Sequence, residues 1–106
     1  MEFGHERLDV YRLAVEVARW AAKVVFPPLR KNLRDQLIRA TESVALNVAE
    51  GAGQIPGDAR RNHFRIALGS AAESCSVLDL VDLPGGREKQ GELRRIGAML
   101  SKMGRA

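Results

Sequence analysis

The sequence has little of the residue types that build disulfides, metal sites or aromatic binding platforms. It contains one cysteine, Cys75, and two histidines, His5 and His63, among 106 residues. A lone cysteine excludes an intrachain disulfide, and so few isolated nitrogen and sulfur ligands predict no metal site. Aromatic residues make up only 5% of the chain, so base stacking on aromatic side chains is not expected. We therefore expect no cofactor and no small-molecule substrate.

Long apolar runs are also absent. No run approaches the roughly 20 residues that span a bilayer, so we expect no membrane partner. The first residues, MEFGHERLDV, lack an apolar segment behind a basic one, so we expect no signal peptide and a cytoplasmic protein. The length and a hydrophobic content of 45% predict one globular domain covering residues 1–106.

The apolar residues recur at helical spacing and predict four helices with no strand. Proline and glycine clusters punctuate the chain at Pro27-Pro28, at 51–53 and at 84–86, and they end helices. The short connections predict antiparallel neighbours and hence an all-α, up-down four-helix bundle. The predicted helices cover residues 7–26, 33–50, 59–83 and 88–103.

The first predicted helix is more apolar than one bundle requires. Its polar residues form a single narrow strip, and about five of seven heptad positions are apolar where about three would serve a single core. The excess apolar surface predicts that the chain assembles with copies of itself. The candidate interface residues are Tyr11, Ala14, Ala18, Trp20, Ala21 and Val25.

Short and amide side chains form a stripe along one face of the second predicted helix. Glu73 of the third helix lies among apolar residues, so its carboxylate is expected to face protein and to pair with Arg39. An active site is disfavoured because Ser43 and Ser70 have no evident histidine partner, so we expect no enzyme. We interpret the stripe as a polar seam between the two helices, formed by Gln36, Arg39, Ser43, Asn47, Glu50, Ser70 and Glu73.

The net charge of +4 is unevenly distributed. Residues 1–83 balance, whereas residues 84–106 hold six basic residues against Glu88 and Glu92. Such an excess suits an acidic partner such as nucleic acid, although a solvated helix face would look the same. Acidic residues interrupting the basic surface would favour a protein scaffold without nucleic-acid affinity. The candidate nucleic-acid contacts are Arg87, Lys89, Arg94, Arg95, Lys102 and Arg105.

Four segments carry a resemblance that extends from about Leu8 to Lys102: LDVYRLAVEVA, FPPLRKNLRDQLIRATESVALNVAEG, FRIALGSAAES and IGAMLSK. The most specific residues are Gln36, Arg39-Ala40, Ser43, Asn47 and Ala49-Glu50-Gly51, followed by Ala67, Gly69-Ser70 and Glu73. With these, the chain resembles the small bacterial four-helix-bundle proteins that are also described as proteins of intervening sequences in large-subunit ribosomal RNA genes.

The resemblance implies an up-down bundle assembled into a ring-like homo-oligomer, a pentamer. A related branch, the accessory variability determinant of diversity-generating retroelements, forms a basic pentamer that binds a reverse transcriptase and nucleic acid. The expected partners are therefore further copies of the chain and RNA, DNA or a reverse transcriptase. We expect a non-enzymatic binding protein, with a structural oligomer that binds no nucleic acid as the alternative.

Overall fold

The structure is a computed structural model that describes residues 1–104. After a short 3-10 helix, Gly4–Arg7, come four α-helices: α1 (Asp9–Lys23), α2 (Lys31–Ala52), α3 (Asp58–Leu80) and α4 (Gly86–Met103). Each α-helix packs against the next, and α1 also packs against α4, so the four close into a bundle. The described residues contain no strand. The prediction of an all-α four-helix chain is confirmed.

Two helices end earlier than predicted, and in each the residue that follows the helix is extended. α1 ends at Lys23 because Val24 is already extended (φ −66°, ψ 140°), three residues before the first proline of the connection. α3 ends at Leu80 because Val81 is extended (φ −145°, ψ 133°). Both helices were predicted to continue for three further residues.

Both ends of α2 and the starts of α3 and α4 extend beyond their predicted limits, whereas α1 starts two residues later than predicted and α4 ends at Met103 as predicted. α2 starts at Lys31 and continues through Gly51 to Ala52, with Gly53 as its C-cap residue. Gly51 is helical and faces α3 so closely that a Cβ atom on it would lie 2.6 Å from Cε1 of Phe64. Glycine therefore permits the close approach of α2 to α3 at this point. At α4, Gly85 is the N-cap residue and adopts the left-handed conformation (φ 79°).

The core lies along the bundle axis and receives side chains from all four helices. The largest fully buried side chains are Leu37, Val44 and Val48 of α2, Phe64 of α3, Val17 of α1, and Leu93, Ile96 and Leu100 of α4. Two buried hydroxyls satisfy themselves within their own helices, because Thr41 donates to the Leu37 carbonyl and Ser74 donates to the Ser70 carbonyl, each at 2.8 Å. Hydrogen bonds of this kind let polar residues enter a core without a partner on another helix.

The α1–α2 and α3–α4 connections meet at the same end of the bundle. The indole of Trp20, near the end of α1, approaches Gly85 in the α3–α4 connection, where a Cβ atom would lie 3.4 Å from Trp20 Nε1. The molecule measures 44 × 28 × 20 Å, so this end presents a narrow face across the long axis. Within residues 1–104, none of the helices combines the length and the hydropathy that membrane crossing requires.

Candidate nucleic-acid interface

Four of the candidate cations share the outer face of α4. Arg87, Arg94, Arg95 and Lys102 are all exposed, whereas Leu93, Ile96 and Leu100 face the core. At 100° per residue the four cations fall within an arc of about 100° on the side of the helix away from the core. We call these four residues the α4 basic face. Among residues 1–104, none of the four forms a salt bridge.

The α4 basic face is long enough to follow a nucleic-acid backbone. Arg87 and Lys102 lie fifteen residues apart, which corresponds to about 22 Å along a helix. Phosphates follow one another every ~3.4 Å along one strand of duplex DNA, so this distance covers several of them. Glu88 borders the face at its Arg87 end and is exposed. The cations from Arg94 to Lys102 therefore have no acidic neighbour on the same face.

Lys89, a candidate nucleic-acid contact, lies away from the α4 basic face and pairs with an acidic residue. Its side chain is 17% exposed, and its Nζ atom lies 3.0 Å from Oε2 of Glu92, which is also 17% exposed. The Lys89 side chain is mostly buried because Lys89 lies about 200° around the helix from Arg87, on the side of α4 beside the core. The pair neutralises itself on the flank of α4, and Glu92 does not interrupt the outer face. Arg105, the sixth candidate, lies outside the described residues.

Arg65 of α3 is a neighbouring cation that the charge analysis missed. It is exposed and lines a shallow groove between α3 and α4 with Leu68, Leu100 and Ser101. Averaging the charge over residues 1–83 concealed it, because only the packing of α3 on α4 brings it to the same groove as Leu100 and Ser101. Cys75 and Arg94 line a second groove between α3 and α4. Burial raises the pKa of the Cys75 thiol, and the nearby Arg94 guanidinium only partly offsets this effect.

The polar seam is smaller than the predicted stripe. Ser70 Oγ donates to Ser43 Oγ at 2.8 Å, which joins α3 directly to α2. His63 Nδ1 donates to Asn47 Oδ1 at 3.1 Å and lies 3.4 Å from Oε2 of Glu50, because an amide or carboxylate oxygen can only accept. Asn47 in turn donates to the Ser43 carbonyl at 2.9 Å. Two hydrogen bonds, Ser70 to Ser43 and His63 to Asn47, and the close contact of His63 with Glu50 thus connect the two helices.

Three residues of the predicted stripe do not take part in these contacts. Glu73 and Arg39 are both exposed, and within residues 1–104 no ion pair joins them at 4.0 Å or less. The expectation that Glu73 faces protein is wrong because Glu73 follows the buried Ala71 by about 200° around α3. Gln36 is half-buried, and its side chain makes no hydrogen bond within the described part of the chain.

His63 belongs to the seam, although it was not among the residues predicted to form it. It precedes Ser70 by seven residues, so the two side chains lie on the same face of α3. This heptad spacing was the available signal. It carries meaning only once the face of α3 that packs on α2 is known.

The candidate oligomer residues of α1 separate into two groups. Ala14 and Ala21 are fully buried with Val17 in the core of their own chain, so their assignment to an intermolecular contact is wrong. Their spacing of seven places them on the inward face. Tyr11, Ala18 and Trp20 are half-buried, and Val25 is exposed beyond the end of α1.

An apolar groove between α1 and α2 remains open on the surface. Leu46 of α2 is 63% exposed at its rim, so this large apolar side chain is in contact with solvent. We call it the α1–α2 groove; it is lined by Tyr11, Val15, Ala18, Arg19, Ala22, Glu42, Ala45 and Leu46.

Comparison with known proteins agrees with the resemblance in the sequence. The model of a family described as 23S rRNA-intervening sequence protein matches residues 6–102, a range that includes α1, α2, α3 and nearly all of α4. A search of curated proteins finds no match to the chain. Since the family model covers most of the residues, the chain belongs to the family of 23S rRNA-intervening sequence proteins.

Proposed function

We propose that the protein is a non-enzymatic homo-oligomer that binds nucleic acid through the α4 basic face. The observation that carries the proposal is the placement of Arg87, Arg94, Arg95 and Lys102 on one exposed face without acidic partners among residues 1–104. The family description names a ribosomal RNA, which supports nucleic acid over other acidic partners. A nucleic-acid enzyme such as a reverse transcriptase would then meet the protein on the same nucleic acid.

The binding is expected to depend on phosphates and not on base sequence. Arginine and lysine on an exposed helix face contact backbone oxygens, and the chain has few aromatic side chains for stacking. Four phosphate contacts from one copy predict a slope of about −3.6 in a plot of log affinity against log salt for duplex DNA. Repetition of the face in an oligomer multiplies these weak contacts through avidity.

The polar seam supports a structural and not a catalytic role for the most specific residues of the sequence. Ser43 and Ser70 hydrogen-bond each other, and His63 contacts Asn47 and Glu50 and neither serine. A serine nucleophile requires an adjacent base that can take its proton. The arrangement lacks that pairing within residues 1–104 and instead connects α2 to α3.

The decisive variant for nucleic-acid binding is Arg94→Glu/Arg95→Glu. Reversing two charges in the middle of the face should weaken binding to a short RNA or DNA duplex by at least tenfold and flatten its salt dependence. Fluorescence anisotropy at several salt concentrations measures both quantities. The control Arg12→Glu/Arg39→Glu makes the same charge change at two exposed residues of α1 and α2, away from the α4 basic face. Equal losses in the two variants would refute the assignment to α4.

The homo-oligomer, a pentamer in our proposal, is supported by the α1–α2 groove. Its exposed Leu46 offers a knob, and its alanines allow a helix from another copy to approach closely. Leu46→Asp should lower the mass measured by light scattering while circular dichroism stays unchanged. Ile55→Asp, at an exposed apolar residue of the α2–α3 connection, is the control. A wild-type mass of one chain, 11.7 kDa, would contradict the proposal.

A protein scaffold without nucleic-acid affinity is the second candidate. It is favoured by Glu88 at the border of the basic face and by the loss of Lys89 to an ion pair with Glu92. A titration of the protein with nucleic acid distinguishes the two functions. A wild-type oligomer that binds neither RNA nor DNA at low salt would establish the scaffold and remove the nucleic-acid proposal.

A further inference from the structure

The end of the bundle at which the α1–α2 and α3–α4 connections meet carries two patches of opposite charge. The first, which we call the basic end patch, consists of Lys23, Arg30, Lys31 and Arg34, which line one shallow cavity in the α1–α2 connection. All four are exposed. Lys31 Nζ lies 2.8 Å from Asp35 Oδ2 and lowers the pKa of that carboxyl, so one of the four positive charges is neutralised.

The second patch, which we call the acidic end patch, consists of Asp79, Asp82 and Glu88 beside the α3–α4 connection, where they line another cavity. Asp79 accepts a hydrogen bond of 2.8 Å from Gln90. Asp82 and Glu88 are exposed and form no salt bridge within residues 1–104. Arg87 is the one cation that lines the same cavity. The contact of Trp20 with Gly85 places the two patches side by side.

Exposed apolar side chains accompany both patches. Val25 and Leu29 are 80% and 98% exposed beside the basic end patch, and Leu80 is 64% exposed beside the acidic one. Leu29 also holds a left-handed conformation (φ 67°), which is unfavourable for a residue with a Cβ atom. Within residues 1–104, Leu29 thus has neither a favourable backbone conformation nor a buried side chain.

We infer that this end docks onto the same end of a second copy, with each basic end patch on the partner's acidic end patch. A two-fold axis lying between the ends and parallel to the border of the two patches brings opposite charges together twice, as an isologous contact requires. The same rotation brings the apolar side chains of the two copies toward each other. The docking is independent of the α1–α2 groove, which lies on the side of the bundle.

The size of the end face sets the strength of this contact. A cross-section of 28 × 20 Å gives each copy about 560 Å², or about 1,100 Å² in total, which lies at the lower limit of specific interfaces. The pairing is therefore weak and depends on charge, so salt screens it. A nucleic-acid strand fits this end less well, because its phosphates would also meet Asp82 and Glu88.

Sedimentation at high protein concentration tests the pairing without nucleic acid. The wild-type mass at about 50 mM salt should be twice the mass at about 500 mM salt, whatever the size of the lateral oligomer. Arg30→Glu/Arg34→Glu and Asp82→Lys/Glu88→Lys should each abolish the doubling. The fourfold variant that combines both should regain it, because the charges are exchanged and remain complementary.

Three results would overturn the inference, each in protein shown to be folded by circular dichroism. They are a wild-type mass that does not change with salt, a doubling that persists in Arg30→Glu/Arg34→Glu, and a fourfold variant that does not double. Arg94→Glu/Arg95→Glu is the control and should keep the doubling. Because it changes only the proposed nucleic-acid face, failure of the end pairing and failure of the proposed function are distinguishable. If Arg30→Glu/Arg34→Glu lost nucleic-acid affinity while the mass never doubled, the basic end patch would instead bind phosphates.

Discussion

Gly51→Ala should destabilise the bundle although alanine is the better helix former. A Cβ atom at this position would lie 2.6 Å and 2.9 Å from two atoms of the Phe64 ring and 3.1 Å from Cβ of His63. Phe64 is fully buried, so its ring cannot turn into solvent and must move by nearly 1 Å to restore an ordinary contact. Overpacking of this kind costs about 1–3 kcal/mol. The higher helix propensity of alanine offsets up to about 1 kcal/mol of this cost, which leaves a net loss of up to about 2 kcal/mol.

Urea unfolding followed by circular dichroism at one fixed protein concentration measures this loss. Gly69→Ala is the matched control, because Gly69 is also inside a helix and a Cβ atom there meets nothing within 4 Å. That variant should gain up to about 1 kcal/mol from propensity alone. The two glycine variants are thus expected to change stability in opposite directions. A Gly51→Ala protein as stable as Gly69→Ala would refute the close packing of α2 on Phe64.

Two further predictions concern α3. Ser70→Ala removes the donor to Ser43 and should lower the free energy of unfolding by about 1 kcal/mol. Ser76→Ala is the control and should change stability little, because the exposed Ser76 hydroxyl donates only to the Ala72 carbonyl of its own helix. Equal effects of the two variants in urea unfolding would argue against the seam. Cys75 should react more slowly with a thiol reagent at pH 8 than free cysteine does, because burial raises the pKa of its thiol and reduces the thiolate fraction. The absorbance of released thionitrobenzoate measures the rate, and reaction at the rate of the urea-unfolded chain would show that the thiol is not protected.

The helices themselves were predictable because their signals are local. Apolar spacing identified four segments, and proline and glycine separated them. The ends were less accurate because they depend on single residues. Gly51 looked like a helix stop, yet α2 continues through it, and the neighbouring Phe64 ring leaves no room for a side chain at that point. Val24 and Val81 looked like helix residues, yet both are extended.

The α4 basic face was predictable for the same reason, since one helix fixes which of its residues share a face. The partners across helices were not. To predict that Glu73 is exposed, one must know which side of α3 meets α2. The prediction of burial rested on apolar neighbours, and two of these, Ile66 and Leu80, are themselves exposed. The basic end patch was not predicted because the charge was averaged over residues 1–83. Within that range, residues 19–39 hold six basic residues and one acidic residue, Asp35.

The composition of the polar stripe follows from how closely α2 and α3 approach. A hydrogen bond of 2.8 Å between Ser43 and Ser70 requires short side chains on both helices, and no Cβ atom fits at Gly51. Lysine and glutamate at the serine positions would separate the helices or bury charge. The short and amide side chains therefore act by fixing how α3 lies on α2, and α4 packs against α3. Arg94, Arg95 and Lys102 are not among the residues that line the cavities at the end of the bundle, so end pairing would leave these three cations of each α4 basic face open to nucleic acid.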